Sequence, residues 1–266
     1  MNREPDGVTI VSGESSDAQH PTTVVSVLRA ALGEVSRDPA LVGPFVVVGV
    51  LVSLADWLRR WDPIPAGTPG WRADTASLQY SIFPQGVART DRYVGALVDL
   101  ELAYFLGAVT LELMVTLAIG VAGWLTIRRT LDADAGVGSL GRYLGVFAAL
   151  TLPSALVGQV EFTPGSLPLT LLVFVVAALV LVSLFPLPGY LAAGHDIVTA
   201  LRESITTASG KRTQLFGLVL VFGLGAWGLA LVPVAGGFLS TAISAPFQAV
   251  TVAVVVRGDV AENRGR

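Results

Sequence analysis

Apolar positions in this chain fall in blocks, and the polar positions collect between them. The longest uncharged run is Phe162 to Gly194, with Leu169 to Leu184 almost wholly aliphatic. A second runs from Thr213 to Val256, broken only by Pro233 to Gly237 and by Pro246. A bilayer crossing takes roughly 20 mainly apolar residues, so the second run has room for two. Six spans are predicted, at about 41–58, 102–127, 142–160, 167–187, 214–232 and 236–256. Pro44 and Pro168 fall in first turns, where a missing N–H does no harm. Trp57 and Trp61 mark an interface, because Trp collects at headgroup depth.

The segments between the blocks have patterns of their own. Residues 1–20 carry Glu4, Asp6, Glu14 and Asp17 among Ser, Gly and Pro, which predicts a disordered acidic tail with no signal peptide. In 21–37, Val24, Val25, Leu28 and Leu32 recur at helical spacing and predict a short helix, in the headgroup plane or packed under the bundle. Residues 59–93 form the longest connection, and Pro63, Pro65, Pro69, Gly67 and Gly70 argue against one helix there. Its aromatics Trp71, Tyr80, Phe83 and Tyr93 predict a loop resting on the membrane surface, the best place for a partner or ligand contact. In 191–209, Ile197, Val198, Leu201, Ile205 and Ala208 share one face and Asp196, Thr199, Arg202, Glu203 and Thr206 the other, as in an interfacial amphipathic helix. The expected organisation is one membrane domain over 21–258, with a short tail over 259–266.

Composition agrees with the pattern. Of 266 residues, 53% are hydrophobic and 14% charged, against about 25% charged in soluble domains. The absence of cysteine excludes disulfides, thiolate catalysis and cysteine-bound zinc, and His20 and His195 are too few for a histidine-rich metal site. No cofactor is expected. A net charge of −3 gives no reason to expect nucleic acid. The basic residues are all Arg apart from Lys211, and the composition resembles that of proteins from salt-loving archaea.

The cations also orient the spans. Six crossings place both termini on one side, together with twelve cations: Arg3, Arg29, Arg37, Arg128, Arg129, Arg142, Arg202, Lys211, Arg212, Arg257, Arg264 and Arg266. Arg59, Arg60, Arg72, Arg89 and Arg92 fall on the other side. The positive-inside rule then places both termini in the cytoplasm of a cell-membrane protein.

Candidate chemistry is sparse. Glu112 lies ten positions into the second span, near its expected middle, where a charge costs at least roughly 2.5 kcal/mol. It is a proton, cation or substrate contact, or else a neutral, hydrogen-bonded residue holding helices together. No Arg or Lys is expected at its depth, which favours a protonated form. Glu101, close to three turns earlier, shares its face, and with Asp99 it would extend an acidic track, although solvation at the boundary is the simpler reading. Gln248 lies near the middle of the sixth span and is a possible partner for Glu112. Thr241, Ala245, Ala249 and Ala253 recur every four residues as a helix-packing face. Arg202, Lys211 and Arg212 are candidate phosphate or lipid contacts at the interface. His195 beside Asp196 reads as a capping or interface histidine, since helix neighbours do not face each other. Gly136, Gly138 and Gly141 match G-x-G-x-x-G without the strand it needs, so they read as a flexible turn.

The segment ALRESITTASGKRTQLFGLVLVFGLG, from Ala200, carries a helix with Arg and Ser, a basic turn and an apolar helix opening with Leu and Phe. Through Leu201, Arg202, Ser204, Lys211, Arg212, Leu215 and Phe216 it resembles the membrane domain of some glycerophosphodiester phosphodiesterases and related archaeal membrane proteins. The likeness covers about 187–256. It implies architecture and no catalytic residues, because the catalytic barrel of those enzymes is a separate soluble unit. The loop segment YSIFPQGVARTDRY also looks like a family element.

The expected fold is an all-α bundle of about six membrane helices with one or two interfacial helices. The leading expectation for function is a non-enzymatic accessory, scaffold or partner-binding membrane protein. A transporter component using Glu112 and a lipid-handling enzyme at the cytoplasmic interface are the alternatives. Expected partners are the bilayer and another membrane protein or a second copy of the chain.

Overall fold

The computed structural model describes residues 23–61, 66–67, 76–78, 82–84, 91–92, 100–134, 136–157, 160–162 and 167–264. The tail expected over 1–20, and Trp71, Tyr80, Tyr93 and Asp99, lie outside the described residues.

The chain opens with α1 (Val24–Arg37), whose N-terminus is closed by a reciprocal cap. Thr23 Oγ1 accepts from Ser26 N at 3.2 Å, and Ser26 Oγ accepts from Thr23 N at 3.0 Å. A 3₁₀ turn (Pro39–Leu41) leads into α2 (Gly43–Trp61). Next come β1 (Ala66–Gly67), β2 (Ala76–Leu78) and β3 (Asp91–Arg92), then α3 (Leu102–Leu131) and α4 (Val137–Val157). After β4 (Val160–Phe162) follow α5 (Leu167–Leu184), α6 (Leu187–Ala192), α7 (Ile197–Gly210) and α8 (Arg212–Ala230). The last membrane helix begins as α9 (Gly236–Leu239), passes through a π-helical segment (Ser240–Ser244) and continues as α10 (Ala245–Arg264).

Among the described residues, five stretches are long and apolar enough to cross a membrane: Pro39–Arg59, Leu102–Leu131, Leu171–Ala192, Arg212–Ala230 and Gly236–Glu262. In α4 the described apolar stretch, Val137–Leu152, is shorter. The protein is a multi-pass membrane protein, built as an all-α bundle. Strand pairing shows where α4 goes. β2 and β4 run antiparallel with Ser77 opposite Glu161, so the far end of α4 returns to the connection that follows α2. β1 and β3 pair within that connection, Ala66 opposite Arg92. This end of the bundle is the loop end.

The opposite, basic end gathers the termini of several helices. Arg129 reaches Asp38 at 2.6 Å, Arg257 reaches Glu34 at 2.7 Å, and Arg142 donates to the Gly194 carbonyl at 3.1 Å. Arg257 also donates to the Thr130 carbonyl. The first and last described helices, α1 and α10, therefore share one end. Helix α3 stands at the centre and packs on α2, α4 and α10. Helix α5 is peripheral. It packs chiefly on α7 and α8, and Leu171, Leu172 and Phe174 are about 60% exposed, the surface a bilayer covers.

Two expected boundaries need correction. No tail begins at 259, because α10 runs to Arg264 and uses Asp259 and Glu262 in ion pairs with Lys211. The helix expected over 191–209 is two elements: α6 is buried throughout, and α7 begins only at Ile197. The two-sided reading of α7 becomes three-sided. Ala200, Ser204, Thr207 and Ala208 face the protein, Ile197, Val198, Leu201 and Ile205 form an exposed apolar strip, and Arg202 and Thr206 lie on an exposed polar strip. A buried face beside exposed apolar and polar strips is the pattern of an amphipathic helix suited to an interface.

Candidate functional site

The connection expected on the membrane surface enters the bundle. Ile82 is 8% exposed and Phe83 is fully buried. The Phe83 ring lies edge-on to Phe45 of α2 (5.6 Å between centroids) and stacks on Phe147 of α4 (5.9 Å). It also fills the space over Gly123 of α3, where any Cβ would overlap the ring. Phe45 is 16 residues from the loop end of α2 at Trp61, about 24 Å along the helix axis. Gly123 is only eight residues from the basic end of α3, about 12 Å. Residues 82–84 are thus a re-entrant segment whose ring passes the middle of the bundle.

Irregular backbone at membrane depth is tolerated where protein or a wet cavity receives its polar groups. Here Gln248 of α10 does so, its Nε2 donating to the Ile82 carbonyl at 2.7 Å. The space left beside Ile82, between Tyr143, Phe147 and α6, is about 10 Å³, at the lower limit for one water. The segment is held by fit, and the geometry corrects two expectations. Phe83 is not on the surface, and Gln248 is not the partner of Glu112.

Glu112 has its own partner. Arg59 Nε donates to Glu112 Oε1 at 2.9 Å, and its Nη2 lies 2.7 Å from the same oxygen. Arg59 Nη1 also reaches Asp56 Oδ1 at 2.8 Å, one turn back on α2. The three side chains are 11–17% exposed. The expectation that no cation stands at the depth of Glu112 is overturned, and the argument for its protonation falls with it. Depth explains the miss. Thr126 Oγ1 donates to the Leu41 carbonyl at 3.0 Å and fixes the register of α3 on α2 near the basic end. From there Glu112 is 14 residues up α3, about 21 Å, in the third of a ~30 Å core nearest the loop. Arg59 is two residues from Trp61, the end of α2, and lies between Trp57 and Trp61, which are 53% and 73% exposed. The Arg59 side chain is nonetheless sheltered, 11% exposed, with its guanidinium held by the two carboxylates.

The other candidates do not join this triad. Glu101 is exposed at the N-cap position of α3, where Tyr104 N and Phe105 N donate to its carbonyl. Thr241, Ala245, Ala249 and Ala253 are fully buried along the last helix. Asp196 caps α7, accepting from Thr199 N at 3.1 Å, and the Thr199 hydrogen bonds hold its carboxyl below the usual carboxylate range. His195 lies 5.6 Å from the Tyr190 ring. Gly138 and Gly141 lie inside α4, so the expected flexible turn is helical there. Lys211 and Arg212 line one cavity, and Arg202 stands on the exposed face of α7. Among the described residues, no group of three or more His, Asp or Glu could hold a metal ion.

The last membrane helix carries a feature that hydrophobic periodicity does not reveal. The π segment places Ser240 and Thr241 fully buried, their hydroxyls without a hydrogen-bond partner among the described residues, and the Oγ of Ser53 on the facing α2 is in the same state. The signal available was a run of hydroxyl residues, Ser240, Thr241 and Ser244, just inside a glycine pair.

No family model, curated protein or solved structure matches the chain.

Proposed function

We propose that this is a non-enzymatic membrane protein of the cell membrane whose bundle seats residues 82–84 of the 59–93 connection, from which that connection binds a partner. The observation that carries the reading is the anchoring of that connection, with Phe83 locked among three helices and the Ile82 carbonyl taken by Gln248. Long connections on a rigid scaffold are where contact residues concentrate. The intramembrane polar residues fit the same role, because Glu112 and Gln248 both act as fasteners. In this reading the basic end is cytoplasmic, by the excess of Arg and Lys there, and the loop end faces outward. The partner is another membrane protein or a second copy of the chain.

The test is site-specific photo-crosslinking in native membranes. Trp61→p-benzoylphenylalanine, at the exposed edge of the loop end, is expected to give one discrete protein adduct. The same label at Leu172, on the lipid-facing side of α5, is expected to give none. No adduct from position 61, or the same ladder from both positions, would overturn the partner role.

Transport is the second reading, favoured by one observation. The hydroxyls of Ser53, Ser240 and Thr241 are buried without partners beside a π segment, and such segments often mark functional sites. Reconstituted flux abolished by Thr241→Val, with the fold intact, would decide for it.

A further inference from the structure

The last membrane helix carries one residue too many, and the turn before it is drawn too tight. The π segment (Ser240–Ser244) is a helical turn with an extra residue wound in. Its hydroxyls register the cost. In other helices Thr130, Thr151 and Ser183 donate to the carbonyl four residues back, at 2.7–2.8 Å. The Ser240 and Thr241 hydroxyls, fully buried, have no hydrogen-bond partner among the described residues. The turn from α8 is strained in the opposite sense. Ala235 N donates to the Pro233 carbonyl at 2.7 Å and closes a γ-turn on Val234, whose φ is 67°. A γ-turn of that hand is rare and strained, and a β-branched residue is an outlier in it.

One movement relieves both. Passing a residue from the π segment into the turn makes the helix regular and the turn longer. The backbone from Gly236 into the π segment then slides one position toward the loop end, by about 1.5 Å and about 100°. Helix α10 stays where it is, because Gln248 holds the Ile82 carbonyl, Arg257 pairs with Glu34 and Asp259 accepts from Tyr190. The sequence supplies a substitute at the tightest places. Gly236 lies against the Ala230 carbonyl, where any Cβ would overlap the oxygen, and the residue that moves into its place is Gly237. Thr241 moves into the place of Ser240, hydroxyl for hydroxyl. At Gly49 of α2, whose missing side chain leaves room for Phe238, Leu239 takes over.

We infer that this stretch is a two-register switch at the loop end of the last helix, with the π register described above and an α register one residue on. In the α register Ser240 and Thr241 reach the carbonyls of Gly236 and Gly237, four residues back, and Val234 leaves the left-handed region. Phe238 leaves Gly49, so the contact between α9 and α2 changes while the seat of Phe83 does not. Helix register shifts run in microseconds to milliseconds. The inference does not depend on the partner reading of the loop end.

Fluorine NMR of the full-length protein in nanodiscs tests it, with Phe238→4-fluorophenylalanine as the probe. Two resonances, or one broadened by exchange, are expected. Gly236→Ala, which puts a Cβ on the Ala230 carbonyl in the π register, is expected to shift the population about tenfold toward the α register. Gly237→Ala, which does the same in the α register, is expected to shift it about as far the other way. Val234→Gly, at an exposed turn position where folding is not at stake, accepts a positive φ freely and should match Gly237→Ala. A merely structural glycine pair would not give shifts of opposite sign. One sharp resonance common to the native chain and all three variants, or alanine variants that shift the same way, overturns the switch.

Discussion

The two ends of this bundle use polar residues in opposite ways. Toward the loop end, among the described residues, sheltered contacts join parts distant in sequence: Arg59 to Glu112, and Gln248 to the Ile82 carbonyl. At the basic end they are many and open. The Arg129–Asp38 pair is 58% and 36% exposed, and the Arg257–Glu34 pair 49% and 26%. A charge pair in water is worth little, because solvent screens it and two long side chains must be ordered. A sheltered pair is costly to split, because removing one member strands the other. The loop end is therefore specified by a few indispensable contacts, and the basic end by many dispensable ones.

Three substitutions sharpen that contrast. Phe83→Ala is expected to cost about 3–5 kcal/mol, since it empties a site ringed by Phe45, Phe147 and Gly123. Thermal unfolding in mild detergent measures it, and a loss within experimental error would mean the segment is not seated. Arg59→Met is expected to cost about 3 kcal/mol, because it strands Asp56 and Glu112 together. Adding Glu112→Gln to Arg59→Met should recover part of that loss, and additive losses would contradict the triad. Arg129→Ala is expected to cost under about 1 kcal/mol, an effect that shrinks in high salt. A loss as large as that of Arg59→Met would erase the distinction between the two ends.

Much of the fold was legible because a span is a long signal. Blocks such as Leu169–Leu184 dominate any window, and Arg128 and Arg129 mark the end of α3 to within two residues of Leu131. The re-entrant segment was not legible for the same reason. Ile82, Phe83 and Pro84 are three residues in a polar connection, too short to register as a block, and the surface reading was the natural one for an isolated Phe. Its counterpart, Gly123, looks like any other small residue in a membrane helix. Glu112 stood out by cost alone, but its partner depends on how far α3 slides along α2. The Thr126–Leu41 contact sets that register, and no periodicity reveals it.

The hydrogen bond from Gln248 to Ile82 spans 166 residues. While the chain is being made, residues 82–84 emerge long before the helix that receives them. The Ile82 carbonyl has no such donor in the membrane until α10 is in place, so the segment must wait in water at the loop end. Seating of Phe83 is then a closing step of assembly, made after the last helix has entered the bilayer. A chain cut before Gly236 should keep its earlier helices in the membrane and leave residue 83 open to water-borne reagents.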